Sequence, residues 1–338
     1  MSPTPAARLP IIDLHCDLLV YLTDVPNADI DRIEEIGCAV PALVEGNVKL
    51  QVMAIFSATA PGSTRFAELQ CQMFRQLADN DNCLTAVTNA PQLQQVLQQP
   101  GKTGMVAAIE NAAGFCEEDE PLEEGFKRLE KMIEVCERIL YISFTHHTAN
   151  RFGGGNSSAP THGITTDGRM LLDYLHGRRI AVDLSHTSDA LAFDILNHID
   201  TERLDIPIMA SHSNFRPVWP HERNLPAELA QEIIRRQGLI GMNFLRKFVN
   251  TEDPAAMLQH IHYGFAHGAA DVLSFGADYF YFADEQDLSR FPFYFKEHAL
   301  ASTSYTYLLE QLQGQYPPEQ LQKLAFANAQ RFIERLWT

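Results

Sequence analysis

Eight short apolar runs recur along the chain, and most are followed by a stretch in which apolar residues return at helical spacing. The runs are 10–17 (PIIDLHCD), 48–56 (VKLQVMAIF), 104–110 (GMVAAIE), 139–146 (ILYISFTH), 180–186 (IAVDLSH), 206–212 (IPIMASH), 238–244 (GLIGMNF) and 272–278 (VLSFGAD). They are rich in β-branched and aliphatic side chains, the pattern of strands buried on both faces. The segments 65–79, 122–137, 188–197, 227–237 and 254–268 have helical spacing. Ser188 ahead of Asp189 and Pro226 ahead of Ala227 read as helix starts. Repeated strand–helix alternation predicts an α/β fold with a parallel sheet, either a closed (β/α)8 TIM barrel or a doubly wound open sheet. With no heptads, low-complexity tract or linker, one domain over 1–338 is expected.

The polar residues at the ends of the runs favour the barrel. Asp17, Glu110, His146, His186, His212, Asn243 and Asp278 each close a run or lie just beside its end. In a barrel the carboxyl ends of all strands open on one face, so these side chains would line one pocket. In an open sheet several would lie too far apart to cooperate.

Composition narrows the function classes. The chain has 338 residues and a formal net charge of -17, with no basic stripe that could neutralise phosphates, so nucleic acid is not an expected partner. Six cysteines without CxxC pairs read as reduced, mostly buried thiols. The first residues, MSPTPAARLP, lack the pattern of a signal peptide. The apolar stretch 9–22 is broken by Asp13, His15 and Asp17, so it is not expected to span a membrane. A cytoplasmic location is the expectation.

His15-Cys16-Asp17 ends a strand, where alternation puts imidazole and carboxylate on one face, a workable pair of metal ligands. A satisfied core histidine is the plainer reading of that motif alone. Glu110 ends an apolar run, where a carboxylate must be paired or coordinating, and its two oxygens can span two cations. With His186 and His212 the set reaches two carboxylates and three imidazoles, which suits two metals completed by water. His146 precedes a Gly-rich loop whose glycines let backbone approach the pocket, and His147 is expected to face away. Arg223 suits either a substrate carboxylate or a surface ion pair. Asp278 suits proton transfer beside a metal centre.

These residues, in this order, resemble the renal or membrane dipeptidase family of zinc peptidases. The resemblance lies in IIDLHCDLL, AAIEN, FTHHTANRFGGG, GITTDGRMLLDYLHGRRIAVDLSHTS, MASHSNFRPVWPHERNLP, GMNF and FGADY, spread from the first run to the eighth. It implies that His15 and Asp17 bind one zinc, that His186 and His212 bind a second, and that Glu110 bridges them. It further implies that His146 stabilises the tetrahedral oxyanion, that Arg223 contacts the substrate carboxylate, and that Asp278 shuttles a proton. The implied activity is dipeptide hydrolysis, often with a D-residue tolerated on the C-terminal side. The pattern departs after Asp278, where Tyr279-Phe280-Tyr281-Phe282 replaces the family's Phe-Asp-Gly type of turn. Those aromatics are expected to edge the pocket and tighten it. Manganese or cobalt would also suit the ligand set. Hydrolysis of another amide, lactone or ester remains an alternative, as does a non-catalytic metal-binding barrel. The oligomeric state stays open, with a homodimer as the candidate.

Overall fold

The computed structural model describes residues 8–80, 83–284 and 291–338. The N-terminal stretch read above for a signal peptide lies, up to Ala7, outside the described residues. All eight apolar runs form strands, and a ninth short one joins them. They are β1 (Ile11–Cys16), β2 (Val48–Phe56), β3 (Leu84–Ala86), β4 (Thr103–Glu110), β5 (Ile139–Ser143), β6 (Ala181–Asp183), β7 (Ile208–Ala210), β8 (Leu239–Met242) and β9 (Leu273–Phe275). Every pairing is parallel, and β2 pairs with β4, which closes β1, β2 and β4 to β9 into an eight-membered ring. The fold is a (β/α)8 barrel.

β3 lies outside that ring. It pairs with the start of β4, at Thr103 to Met105, below the point where β5 begins to pair at Ala107. Three residues without an apolar run gave no strand signal in the sequence. Strands β5 to β9 are also shorter than their apolar runs. His146, His186, His212, Asn243 and Asp278 therefore stand on the loops just past the strand ends.

Helix starts follow the local chemistry. The Ser188 side chain accepts from the Leu191 N–H and caps helix Asp189–Glu202, while Pro226 precedes helix Ala227–Arg235. One apolar cluster gathers Ile12, Leu14, Val52, Val106 and Met209 against Phe332 and Ile333 of helix Asn328–Trp337. A larger one lies between the strands and the surrounding helices. All six cysteines are free, and five are buried. No described helix is long and apolar enough to cross a membrane.

Candidate active site

The carboxyl ends of the strands open on a cavity of about 430 Å³, with Asp17, Glu110, His146, His186 and Asp278 among its lining. His15 and His212 stand behind this surface, both fully buried, with rings stacked at a centroid distance of 3.7 Å. Glu110 sits between two groups of histidines. Its Oε2 is 3.4 Å from His15 Nε2, and its Oε1 is 3.0 Å from His186 Nε2 and 3.4 Å from His212 Nε2. His15 Nε2 also faces Asp17 Oδ1 at 3.9 Å and Asp278 Oδ1 at 3.8 Å. His146 Nε2 lies 3.9 Å from Glu110 Oε1.

Counting protons shows what such a cluster requires. Tyr141 Oη is 2.8 Å from His15 Nδ1 and 3.0 Å from the Leu14 carbonyl. A carbonyl only accepts, so the single phenol proton points there and His15 Nδ1 must donate. Ser211 Oγ is 2.7 Å from Asp183 Oδ2 and 2.6 Å from His212 Nδ1. The hydroxyl proton goes to the carboxylate, so His212 Nδ1 donates as well. In the neutral rings Nε2 is then a lone pair aimed at a carboxylate, and His186 Nε2 approaches His212 Nε2 at 2.9 Å. Acceptors facing acceptors are held together only by protons or cations. Among the described residues, His15 Nε2 and Asp17 Oδ1 are buried with no hydrogen-bond partner. Three groups of donor atoms each lie within 4.8 Å of one another: His15–Glu110–His212, His15–Asp17–Asp278 and His146–His147–His186. Imidazoles and carboxylates at this spacing fit divalent metal ions.

The electrostatics have the same cause. Burial opposes a charge on His15, yet Glu110, with Asp17 and Asp278, raises its pKa to about 10. Burial moves Glu110 the other way, but the surrounding imidazoles hold it well below the ordinary range. Burial pushes Asp17 well up, aided by Glu110, and lifts Asp278 to about 6. Desolvation keeps His186 and His212 well below their ordinary value and takes His146 to about 3. His186 and Asp278 also hold left-handed backbone, with φ of 67° and 64°, strain of the kind found at functional sites.

The family description "Membrane dipeptidase (Peptidase family M19)" matches residues 6–336. The chain belongs to this family. Among solved structures it is similar to dipeptidase AC, a metallopeptidase, at 19% identity and a TM-score of 0.82, covering 98% of this chain and 99% of that one. It is also similar to a metallopeptidase from Rhodobacter sphaeroides bound to a phosphinate mimic of the dipeptide L-Ala-D-Ala. There the identity is 18% and the TM-score 0.81, over 98% and 100% of the two chains. At such identities the likeness establishes the fold. Dipeptidase aclJ of Aspergillus oryzae is 29% identical over 132 residues, 37% of this chain and 30% of that protein. A protein in the pqqA 5' region of Klebsiella pneumoniae is 28% identical over 188 residues, 52% of this chain. The matched part spans about 64% of that relative's length.

In this membrane dipeptidase family member, two expectations about the pocket need correction. His147 does not face away. It lines the cavity beside His146, with ring centroids 4.1 Å apart, and its Nδ1 is 3.1 Å from Asn156 Oδ1. Of the four aromatics after Asp278, only Phe280 and Tyr281 line the cavity. Tyr279 is fully buried with its hydroxyl on Ser304, and Phe282 packs on Phe293 at 5.2 Å. The Gly-rich loop does bring backbone close. A Cβ on Gly155 would stand 2.4 Å from the His147 carbonyl oxygen and 2.5 Å from that of His146.

Arg223 is not part of the cavity lining. It is 3% exposed, donates from Nη1 to Ser213 Oγ and from Nη2 to the His212 carbonyl, and leaves Nε without a partner among the described residues. Its guanidinium carbon is 5.6 Å from the ring of Phe248, which does line the cavity. Asn243 donates to Asp278 Oδ2 at 2.8 Å and so fixes that carboxyl. The supporting residues Tyr141, Asp183 and Asp13 escaped the sequence reading. Asp13 accepts from Gln51, Tyr305 and two backbone N–H groups, and Asp183 from Ser143, Ser211 and two backbone N–H groups. The one signal for Asp13 and Asp183 was a carboxylate inside an otherwise apolar run.

Proposed function

We propose that the protein is a metal-dependent dipeptidase with a two-ion centre, zinc being the first candidate. His15 and Asp17 hold one ion, His186 and His212 the other, and Glu110 lies between them. The observation that carries this reading is the convergence of Nε2 of His15, His186 and His212 on Glu110, with His15 Nε2 and Asp17 Oδ1 buried without a hydrogen-bond partner among the described residues, beside a cavity, in a chain of the membrane dipeptidase family. When bound, such ions supply Lewis acidity that polarises a carbonyl and lowers the pKa of water.

The chain's own residues do the rest. His146, kept neutral by burial, presents an imidazole to the scissile carbonyl oxygen as charge builds there. Asp278, held by Asn243 and lifted to about 6 by burial, carries a proton to the leaving amine. Arg223, behind Phe248 with Nε free, attracts the substrate's free carboxylate. The cavity, lined by Phe56, Leu245 and Phe248 as well as polar groups, shields the reacting bond from bulk water. Tolerance of a D-residue at the C-terminal position is supported by the Rhodobacter sphaeroides relative, whose bound ligand mimics L-Ala-D-Ala.

The test is a panel of L,L- and L,D-dipeptides with zinc-reconstituted protein, alongside metal analysis. Turnover should stop when either terminus of the substrate is blocked. Failure across the whole panel overturns the reading. Retention of two metals by a Glu110→Ala variant would remove the bridging role.

A further inference from the structure

Helix Leu18–Asp24 forms one wall of the cavity, with Asp17 at its start, Val20 and Tyr21 a turn later and Asp24 two turns later, all in the lining. Positions i, i+3, i+4 and i+7 share one helix face. Among the described residues four carboxylates line the cavity: Asp17, Asp24, Glu110 and Asp278. Three belong to the histidine cluster already described. Asp24 does not. It is exposed, and among the described residues it has neither an ion pair nor a side-chain hydrogen bond. No described lysine or arginine lines the cavity to neutralise it.

The rim beside Asp24 is acidic as well. The Tyr281 ring packs on Tyr21 at 5.4 Å, and burial together with the nearby carboxylates of Asp284 and Glu35 keeps the Tyr281 phenol above its ordinary pKa. Glu35 is answered by Arg32 at 2.8 Å, while no ion pair answers Asp284 among the described residues.

Distance decides which part of a substrate can meet Asp24. From Asp17 to Asp24 the helix rises seven residues, about 10 Å at 1.5 Å each. The free amine of a dipeptide lies within one residue of its scissile carbonyl, too near the cluster to reach Asp24. A lysine or arginine side chain carries its charge roughly 6–7 Å beyond its Cα, which spans the gap. Val20 and Val25, both in the lining, give its methylene stem an apolar track. The substrate's C-terminal half is drawn to Arg223 through the Phe248 side, so the helix wall is left to the N-terminal residue.

We propose that Asp24 makes this site selective for dipeptides whose N-terminal residue bears a long cationic side chain, lysine or arginine. The inference rests on the dipeptidase reading of the site. Its test compares kcat/KM for L-Lys-L-Ala with the neutral near-isostere L-norleucyl-L-Ala, and for L-Arg-L-Ala with L-citrullinyl-L-Ala. A preference of roughly five- to tenfold for the cationic member is expected, shrinking with added salt. The preference should vanish with L-2,3-diaminopropionyl-L-Ala, whose charge is too close to its Cα. In Asp24→Asn the Lys-to-norleucine ratio should fall to about one, and because Asp24 is exposed the fold is not at stake. A wild-type ratio near one, or a ratio that survives Asp24→Asn, overturns the proposal. Turnover without discrimination leaves the dipeptidase reading standing; no turnover of any dipeptide removes both.

Discussion

Asp183→Asn changes one atom in the shell behind the histidines, and its effect can be followed proton by proton. Asp183 Oδ1 accepts the backbone N–H of Ser185 at 3.1 Å and of Ser211 at 2.7 Å. Oδ2 accepts the hydroxyls of Ser143 and Ser211, each at 2.7 Å. An asparagine keeps the first pair through its carbonyl oxygen and puts an NH2 donor where Oδ2 stood. Ser211 Oγ then becomes an acceptor, and its proton turns to its nearest remaining neighbour, His212 Nδ1 at 2.6 Å. That selects the Nε2–H tautomer of His212 and occupies the lone pair that points at Glu110. The fold should survive, since every hydrogen bond is replaced. Metal affinity at the His212 side should fall about 10–100-fold, on the order of 1.4–2.8 kcal/mol, as for other supports of ligating histidines. Competition with a chromophoric chelator gives the affinity, and 15N NMR of the imidazole gives the tautomer. Unchanged affinity with an unchanged tautomer would falsify this account of the shell.

Three further changes probe other parts of the molecule. Tyr141→Phe strips the acceptor from His15 Nδ1 and the donor from the Leu14 carbonyl, both buried; urea unfolding should show a loss of about 1–3 kcal/mol, and chelator competition a weakened His15-side metal. Gly155→Ala drives a methyl into the His146 and His147 carbonyls; about a 100-fold drop in kcat/KM with metal content intact is expected, and full activity would count against the loop's positioning role. His260 is buried between the Phe215 N–H and the Val249 carbonyl, and burial lowers its pKa to about 4. Below about pH 6.5 the unfolded chain takes up a proton that the folded one refuses, so stability is full above that pH and falls as pH drops towards 4, by about 3 kcal/mol. A His260→Asn variant, followed by urea unfolding across that range, should show a flatter pH profile.

Much of the architecture was legible because a parallel strand buried on both faces must be apolar almost throughout, so all eight strands of the ring announced themselves. β3 did not, because three edge residues outside the ring carry no such constraint. The placement of Glu110, His186, His212 and Asp278 together followed from barrel geometry once their strand ends were found. What the sequence hid were the directions of side chains on irregular backbone. Strand alternation would turn His147 outward beside His146, yet β5 ends at Ser143 and alternation no longer applies four residues later. Proximity to Asp278 suggests a place at the rim for Tyr279, yet its hydroxyl has a buried partner in Ser304, 25 residues on, which no local pattern reveals. Asp183 and Tyr141 were invisible for a related reason, since their partners lie on other strands.

Glu110 is the last residue of β4, which pairs with β2 over seven residues, from Gly104 opposite Leu50 to Glu110 opposite Phe56, whereas the two ends of the ring's chain meet where Asp13 of β1 lies opposite Phe275 of β9. Of the other proposed ligands, His15 lies on β1 and Asp17 just past it, and His186 and His212 stand just past the ends of β6 and β7. No local fragment of the chain holds more than two of the proposed ligands, so tight metal capture must wait until the last seam is sealed. A chain still emerging from synthesis, or one halted with β1 and β9 apart, would have little to offer an ion. Loading would then be a late event in maturation, and a bound ion a mark of a finished barrel.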